Sequence, residues 1–263
     1  MTPEGEDTRE EVKRRFGAAA ERYVRSADHA KGASLDRLIE VVAPRPEWRA
    51  LDVATGGGHT ALALAPHVRE VVATDLTPAM LEAAARFFAE RGARNVRVAE
   101  ADAMALPFGD ASFDLVTCRV APHHFPDCAR FVREAARVVR PGGVVTVIDN
   151  VVPDDPAAAE AINAFEKLRD PSHHWAYAAR EWVAFYEAAG LAVTYTETFR
   201  KVIAFDGWVE RMSVDAATRA RLLQMLRDET GEARESLRPT ERDGVWSFSV
   251  WEVLVSGIRA RPS

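Results

Sequence analysis

The stretch LDVATGGGHTALALA, residues 51–65, carries the strongest fold signal in the chain. It passes from a short apolar strand through Gly56, Gly57 and Gly58 into an alanine-rich helix start. Consecutive glycines let a backbone turn tightly and approach a ligand closely. Gly56-x-Gly58-x-x-Ala61 satisfies the dinucleotide-binding pattern with alanine in its last place, but tight turns satisfy it as well. The loop alone therefore leaves its ligand open. Asp52, inside the apolar strand, narrows the choice, because a carboxylate there needs a partner. It would repel a pyrophosphate and attract a cation.

Outward from this stretch the chain alternates strand and helix. After a break at APRPEW (43–48), strands are expected at 49–54, 70–75, 95–102, 112–120 and 143–151. Helices are expected at 59–66, from Thr77 as N-cap to about 91 with Gly92 as terminator, and at 128–140, stopping at PGG. A helix-and-loop insertion follows at 153–177. Next come a helix at 179–190 ending on Gly190, a strand at 191–200, charged helical sequence at 206–235 and a last strand at 245–258. Such alternation specifies an open, mostly parallel α/β sheet, here of seven strands, with helices on both faces. Residues 10–42 are helical in pattern, with Phe16, Tyr23, Leu35, Leu38 and Val42 near 3.6 spacing.

Ligands of such sheets lie outside the carboxyl ends of the strands. Asp52, Asp75 and Asp102 occupy three of those ends. Asp75 is placed to accept from both hydroxyls of an adenosine ribose, and Asp102 from an adenine amino group. The competing reading for both is a helix cap or turn. A ligand with adenosine and positive charge but no phosphate fits this set best, and S-adenosyl-L-methionine answers to that.

Five segments, LDVATGGG, VVATDLTPAML, AEADAMALPF, SFDLVTCRVAPHHF and EAARVVRPGGVVTVID, resemble in order the motifs of class I S-adenosylmethionine-dependent methyltransferases, in the ubiquinone/menaquinone-type (methyltransferase type 11) branch. The resemblance covers about residues 45–152. It implies a Rossmann-like sheet with a helical cap, a helical lid at 1–44, and a catalytic domain at 45–263 with cap insertions at about 153–178 and 206–240. It places Asp52, Gly56 and Gly58 around the methionine part of the cofactor, with S-adenosyl-L-homocysteine as the product. Asp75 then holds the ribose, with Leu76 and Met80 near the adenine. Asp102 binds the adenine amino group beside Ala103 and Met104. Arg119 faces the methyl group, and Tyr23 in the lid lies over the cofactor or merely docks its helix. The family usually has glycine where this chain has Ala54, which is expected to keep a negative φ.

HHFPD (123–127) follows the fourth strand. His123 or His124 is a candidate base for a hydroxyl, thiol or amine, since imidazole titrates near neutrality. The alternative is that one histidine packs and the other bonds backbone. In the insertion, His173, Trp175 and Tyr177 are candidates to line a substrate pocket, as is Asp149 at the end of the fifth strand, which could equally cap a turn. No ligand spacing around the histidines indicates a metal. Of the aromatic residues Phe165, Trp175, Tyr177, Trp182, Phe185 and Trp208, several must be core.

The 263 residues include 48% hydrophobic and 28% charged side chains, with a formal net charge of −6 and two cysteines. These values disfavour nucleic acid as a partner, a disulfide framework and a structural zinc. The first residues, MTPEGEDTREEVKRRF, do not read as a secretory signal, and no segment reaches the roughly 20 apolar residues of a membrane span. A cytoplasmic enzyme acting on a small-molecule methyl acceptor is the expectation. The alternatives are an NAD(P)-dependent oxidoreductase and a non-catalytic S-adenosylmethionine-binding protein.

Overall fold

The computed structural model describes residues 33–261; Tyr23 and most of the expected lid lie outside them. The described chain opens with helix α1 (Ala33–Val42), strand β1 (Arg49–Val53), α2 (His59–Leu64), β2 (Glu70–Asp75), α3 (Pro78–Glu90), β3 (Val96–Glu100), β4 (Phe113–Arg119), α4 (Cys128–Val138) and β5 (Val139–Val151). It continues with α5 (Pro156–Arg169), α6 (Ala179–Ala188), β6 (Leu191–Ala204), α7 (Phe205–Arg211), α8 (Ala216–Asp228), α9 (Gly231–Leu237), β7 (Thr240–Arg242) and β8 (Val245–Arg259).

The sheet order is β3-β2-β1-β4-β5-β8-β6, with β7 paired to β8. Strands β1 to β5 are mutually parallel, while β8 runs antiparallel between β5 and β6. The order reverses between β1 and β4, and this switch point opens a crevice at the carboxyl ends. The α/β sheet expected from the pattern is present. The short β7 was not expected. It is closed onto β8 by Asp243 and Gly244, both at positive φ, and an Asp-Gly pair is a strong hairpin signal. The PGG sequence does not precede the fifth strand, as expected, but lies within β5, which starts directly after α4.

Each face of the sheet buries one stripe. Leu38, Leu64, Phe87 and Phe88 of α1, α2 and α3 pack with Leu115, Ile148 and Leu254. Phe131 and Val132 of α4 and Trp182 and Tyr186 of α6 cover Val145, Val147, Val253 and Val255 on the other side. Burial on both faces explains the nearly continuous apolar run of β5. Across the middle of the sheet the register aligns Asp52 with Thr117, Thr117 with Thr146 and Thr146 with Ser256, a polar row. A third cluster joins α5, α7, α8 and α9: Phe165 stacks on Trp208 at 4.8 Å, and Leu222, Leu226 and Phe248 close around them. Side-chain oxygens of Asp127, Asp155 and Asp215 cap α4, α5 and α8. No described helix is long and apolar enough to cross a membrane.

Candidate active site

The glycine loop leaves β1 through Ala54, whose φ is 52°. The expected negative φ is therefore wrong. Thr55 N–H must reach Thr74 O on β2 at 2.7 Å while Gly58 N–H closes onto Thr55 O at 2.8 Å, and the left-handed residue makes that reversal. Alanine bears the Cβ–carbonyl strain of that region, about 1–2 kcal/mol. Gly56 has φ 52°, and a Cβ there would meet no atom within 4 Å, so the loop has open space in front of it. Gly58 has φ 85°, and a Cβ would lie 2.6 Å from the Phe88 ring of α3.

Asp52 is 1% exposed. Its Oδ2 accepts from Thr55 Oγ1 at 2.6 Å and its Oδ1 from Thr117 Oγ1 at 2.8 Å. Its first partners are thus the chain's own hydroxyls, where the sequence suggested a cation alone. Burial pushes its pKa up to about 6, against the pull of both hydroxyls and of Arg119. Asp75, at the end of β2, accepts from Gly56 N–H through Oδ2 and from Thr77 N–H through Oδ1, each at 2.9 Å. Burial raises its pKa despite these donors. The Thr77 side chain makes no capping bond, in contrast to the expectation; its backbone N–H is what Asp75 engages. Asp102 accepts from Met104 N–H at 2.9 Å, so both outer acids make a local turn and also face the crevice end of the sheet. Leu76 is half-buried, whereas Met80, Ala103 and Met104 are buried. Arg119 Nε donates to Thr60 Oγ1 of α2 at 3.1 Å.

This donor set fits an adenosyl sulfonium. The open space at Gly56 is flanked by the carboxylates of Asp52 and Asp75, a negative setting that suits a cation better than a pyrophosphate.

Beyond β4, Val120 has φ 53° and donates to Ile148 O at 2.7 Å. A β-branched residue in that region is a genuine outlier, and it aims the turn Pro122–His124 across the sheet end. His123, 6% exposed, bonds through Nδ1 to Asp149 Oδ1 at 2.6 Å. Burial works against its positive form, but Asp149, with Glu166 and Asp170 farther away, outweighs burial and leaves the pKa raised. His124, whose ring centroid is 4.2 Å from that of His123, donates from Nδ1 to Ser172 O at 3.0 Å. Burial and the neighbouring His123 push its pKa down to about 3. Of the two candidate bases, His124 thus follows the backbone-bonding alternative.

His173 is buried 5.5 Å from His123 between ring centroids and donates from Nε2 to Asn163 Oδ1 at 2.7 Å. Its pKa is pushed down to about 2, by burial first and then by His123. It packs behind His123. Trp175 is half-buried, and its N–H donates to His123 O at 3.0 Å; His174 N–H donates to the same oxygen at 2.8 Å. Tyr177 packs edge-on against Trp182 and Phe185 and is half-buried. Phe165, Trp182 and Trp208 are core. Asp149, only 1% exposed, belongs to His123 rather than to a cap.

Asn163, Asp170 and Ser172 escaped the sequence reading. Asp170 Oδ1 accepts from Ser172 N–H at 3.0 Å and Ser172 Oγ at 2.6 Å, a turn that Asp-Pro-Ser signals on its own. Among the described residues no group of three or more histidine, cysteine or acidic side chains is placed to hold a metal.

A model of the methyltransferase domain family matches residues 51–147. The chain is 37% identical over 246 residues to the uncharacterized methyltransferase YcgJ of Bacillus subtilis, covering 93% of this chain and 97% of that one. The crystal structure of YcgJ superposes with a TM-score of 0.84 over 88% of this chain and all of the other, at 36% identity. The demethylmenaquinone methyltransferase of Thermus thermophilus is 41% identical over 115 residues, 43% of this chain and 52% of that enzyme. The 27-O-demethylrifamycin SV methyltransferase of Amycolatopsis mediterranei is 36% identical over 129 residues, 48% of this chain and 47% of that enzyme. Glycine loop, acids, sheet order and relatives agree, and the chain belongs to the class I S-adenosylmethionine-dependent methyltransferases.

Proposed function

We propose that the chain transfers the methyl group of S-adenosylmethionine to a small-molecule acceptor by in-line displacement, at the crevice between the strand ends and the cap. The observation that carries this reading is Asp75 bonded to the glycine loop, with Asp102 on the adjacent strand end. Each oxygen of Asp75 uses one acceptor site on Gly56 or Thr77, and a carboxylate offers about four, so one per oxygen remains for the two ribose hydroxyls. Asp102 and the 103–104 backbone would take the adenine edge, with Leu76 against its face. Gly56, Gly58, Asp52 and Arg119 would surround the methionine part. Tyr23 and the rest of residues 1–32 would act as the lid and insertions 153–178 and 206–240 as the cap, whereas residues 33–42, expected in the lid, form α1 and pack into the core through Leu38 and Val42.

When bound, the sulfonium supplies a methyl group on an already activated leaving group. The protein's task is to align the acceptor with it and to exclude water. Trp175 and Tyr177, both half-buried, would line the acceptor's space. A small acceptor is supported by the net charge of −6, which repels nucleic acid, and by relatives named for demethylmenaquinone and demethylrifamycin. The free, buried thiols of Cys118 and Cys128 support a reducing, cytoplasmic setting.

Calorimetry with S-adenosylhomocysteine tests the cofactor assignment. Asp75→Ala is expected to weaken binding by about 1–3 kcal/mol, the range for hydrogen bonds to a charged acceptor. An unchanged dissociation constant would remove Asp75 from the ribose site.

A further inference from the structure

On the sheet face that α1 and α2 cover, four charged side chains alternate in sign toward the carboxyl ends of the strands. Asp52 on β1 is followed by Arg119 on β4, Glu252 on β8 and Lys201 on β6. Burial lowers the Arg119 pKa while Glu252 and then Asp52 draw it back up, so the guanidinium lies within electrostatic reach of both carboxylates. Lys201 Nζ, on a side chain one-third exposed, pairs with Glu252 Oε1. The other oxygen, Oε2, has no hydrogen-bond partner although Glu252 is only 1% exposed. The hydroxyl of Ser34 on α1, a residue 2% exposed, is likewise unpartnered. Buried polar groups left in this state are costly and rare. The chain leaves α1 toward the start of β1, so the first turn of α1 lies at the crevice end. Arg37 on α1 bonds Glu197, which stands opposite Leu254. One turn earlier, about 5.4 Å nearer the crevice, Ser34 comes level with Glu252, two residues along β8 in the same direction. Half-buried Phe199, opposite Glu252 in register, adds an apolar wall.

We propose that Ser34 and Glu252 form a recognition subsite for a neutral hydroxyl of the methyl acceptor, an oxygen distinct from the atom that is methylated. The inference rests on the methyltransferase reading above. A hydroxyl both donates and accepts through one atom, so it can give to Glu252 Oε2 and take from Ser34 Oγ. An ammonium cannot accept, and a carbonyl or carboxylate cannot donate. The four charged side chains already balance, two cations against two anions, so a ligand group with a full charge would stand uncompensated away from water. Strand β5 separates β8 from β4, a distance of two strand spacings or about 10 Å. The recognised hydroxyl is therefore remote from the strand end where Arg119 would face the methyl group, and the acceptor is an extended molecule with apolar body against Phe199. Lys201, long and solvent-facing, is the member whose displacement opens Oε2 to the entering group. A site built to bond a hydroxyl rejects the analogue lacking it, because its own polar groups are then left unpaired. Ser34 and Glu252 are specificity-determining residues rather than catalytic ones.

Four probes test this on the full chain, with and without S-adenosylhomocysteine: toluene, benzyl alcohol, benzylammonium and benzoate. They share a ring and differ in the group presented. Ligand-observed NMR gives their dissociation constants in solution, and soaked crystals show where each one sits. Benzyl alcohol is expected to bind most tightly, with its oxygen on Glu252 Oε2 and Ser34 Oγ. Glu252→Gln, which exchanges a charged acceptor for a neutral one, should weaken benzyl alcohol about 5- to 10-fold and leave toluene unchanged. Ser34→Ala should weaken benzyl alcohol about 2- to 10-fold, and it keeps the test open if Glu252→Gln does not fold. Toluene equal to benzyl alcohol, a charged probe preferred over it, no probe seated at Glu252, or benzyl alcohol unaffected by the substitutions overturns the inference. If the parent fails to bind S-adenosylhomocysteine, the methyltransferase reading fails instead, and the ranking of the probes without it still reports on the subsite.

Discussion

Asp52→Asn separates what a buried carboxylate costs from what it does. Asparagine keeps the shape, and the hydroxyls of Thr55 and Thr117 can rotate to suit an amide, so both contacts at 2.6 and 2.8 Å have replacements. What disappears is the charge. The Asp52 pKa, raised from 3.8 to about 6 by burial, means the folded chain holds this proton more tightly than the unfolded chain does. Its contribution to stability is therefore full below about pH 4 and is lost as pH rises through 6. The gap corresponds to about 3 kcal/mol at 1.36 kcal/mol per pH unit, as an order of magnitude. Urea unfolding at pH 5 and pH 8 measures it, because other titrating groups cancel in the difference between variant and parent. Asp52→Asn should gain stability on the parent, and gain more at pH 8 than at pH 5. The same variant should bind S-adenosylmethionine about 10- to 100-fold more weakly at pH 8, through loss of an anion beside a cationic ligand. A variant that is less stable at pH 8, or one that binds S-adenosylmethionine as the parent does, would refute the reasoning.

The glycine loop gives two further tests. Ala54→Gly relieves a left-handed alanine at φ 52° but adds freedom to the unfolded chain, so a net stabilisation of about 0.5–1 kcal/mol is expected in the denaturant midpoint. Gly58→Ala drives a Cβ to 2.6 Å from Phe88 at φ 85° and should cost about 2–3 kcal/mol, read in the same assay. A neutral Gly58→Ala would mean that α3 packs elsewhere.

The parallel core was legible because both-face burial writes itself as apolar runs, as in β5, and because Gly56, Asp75 and Asp102 stand at fixed offsets from strand ends. The φ of Ala54 was not legible, since its sign is set by the pairing of Thr55 with Thr74 across the sheet. Nor was the pairing of Asp52 with Thr117, which lies 65 positions away and depends on strand register. His123 and Asp149 could each be picked out by type and place, but not as a pair, because β5 had first to be laid beside β4. The roles of His124 and His173 were open for the same reason. Their neutral partners, Ser172 and Asn163, belong to the loop after α5 and to α5 itself, which sequence showed only as helix and polar loop. The Asp-Gly turn before β8 was a local signal and could have been read.

The most direct test of the central claim is calorimetry of the full chain with S-adenosylhomocysteine and, separately, with NADH. Saturable binding of S-adenosylhomocysteine with none of NADH is the predicted result. Binding of NADH without S-adenosylhomocysteine would contradict it.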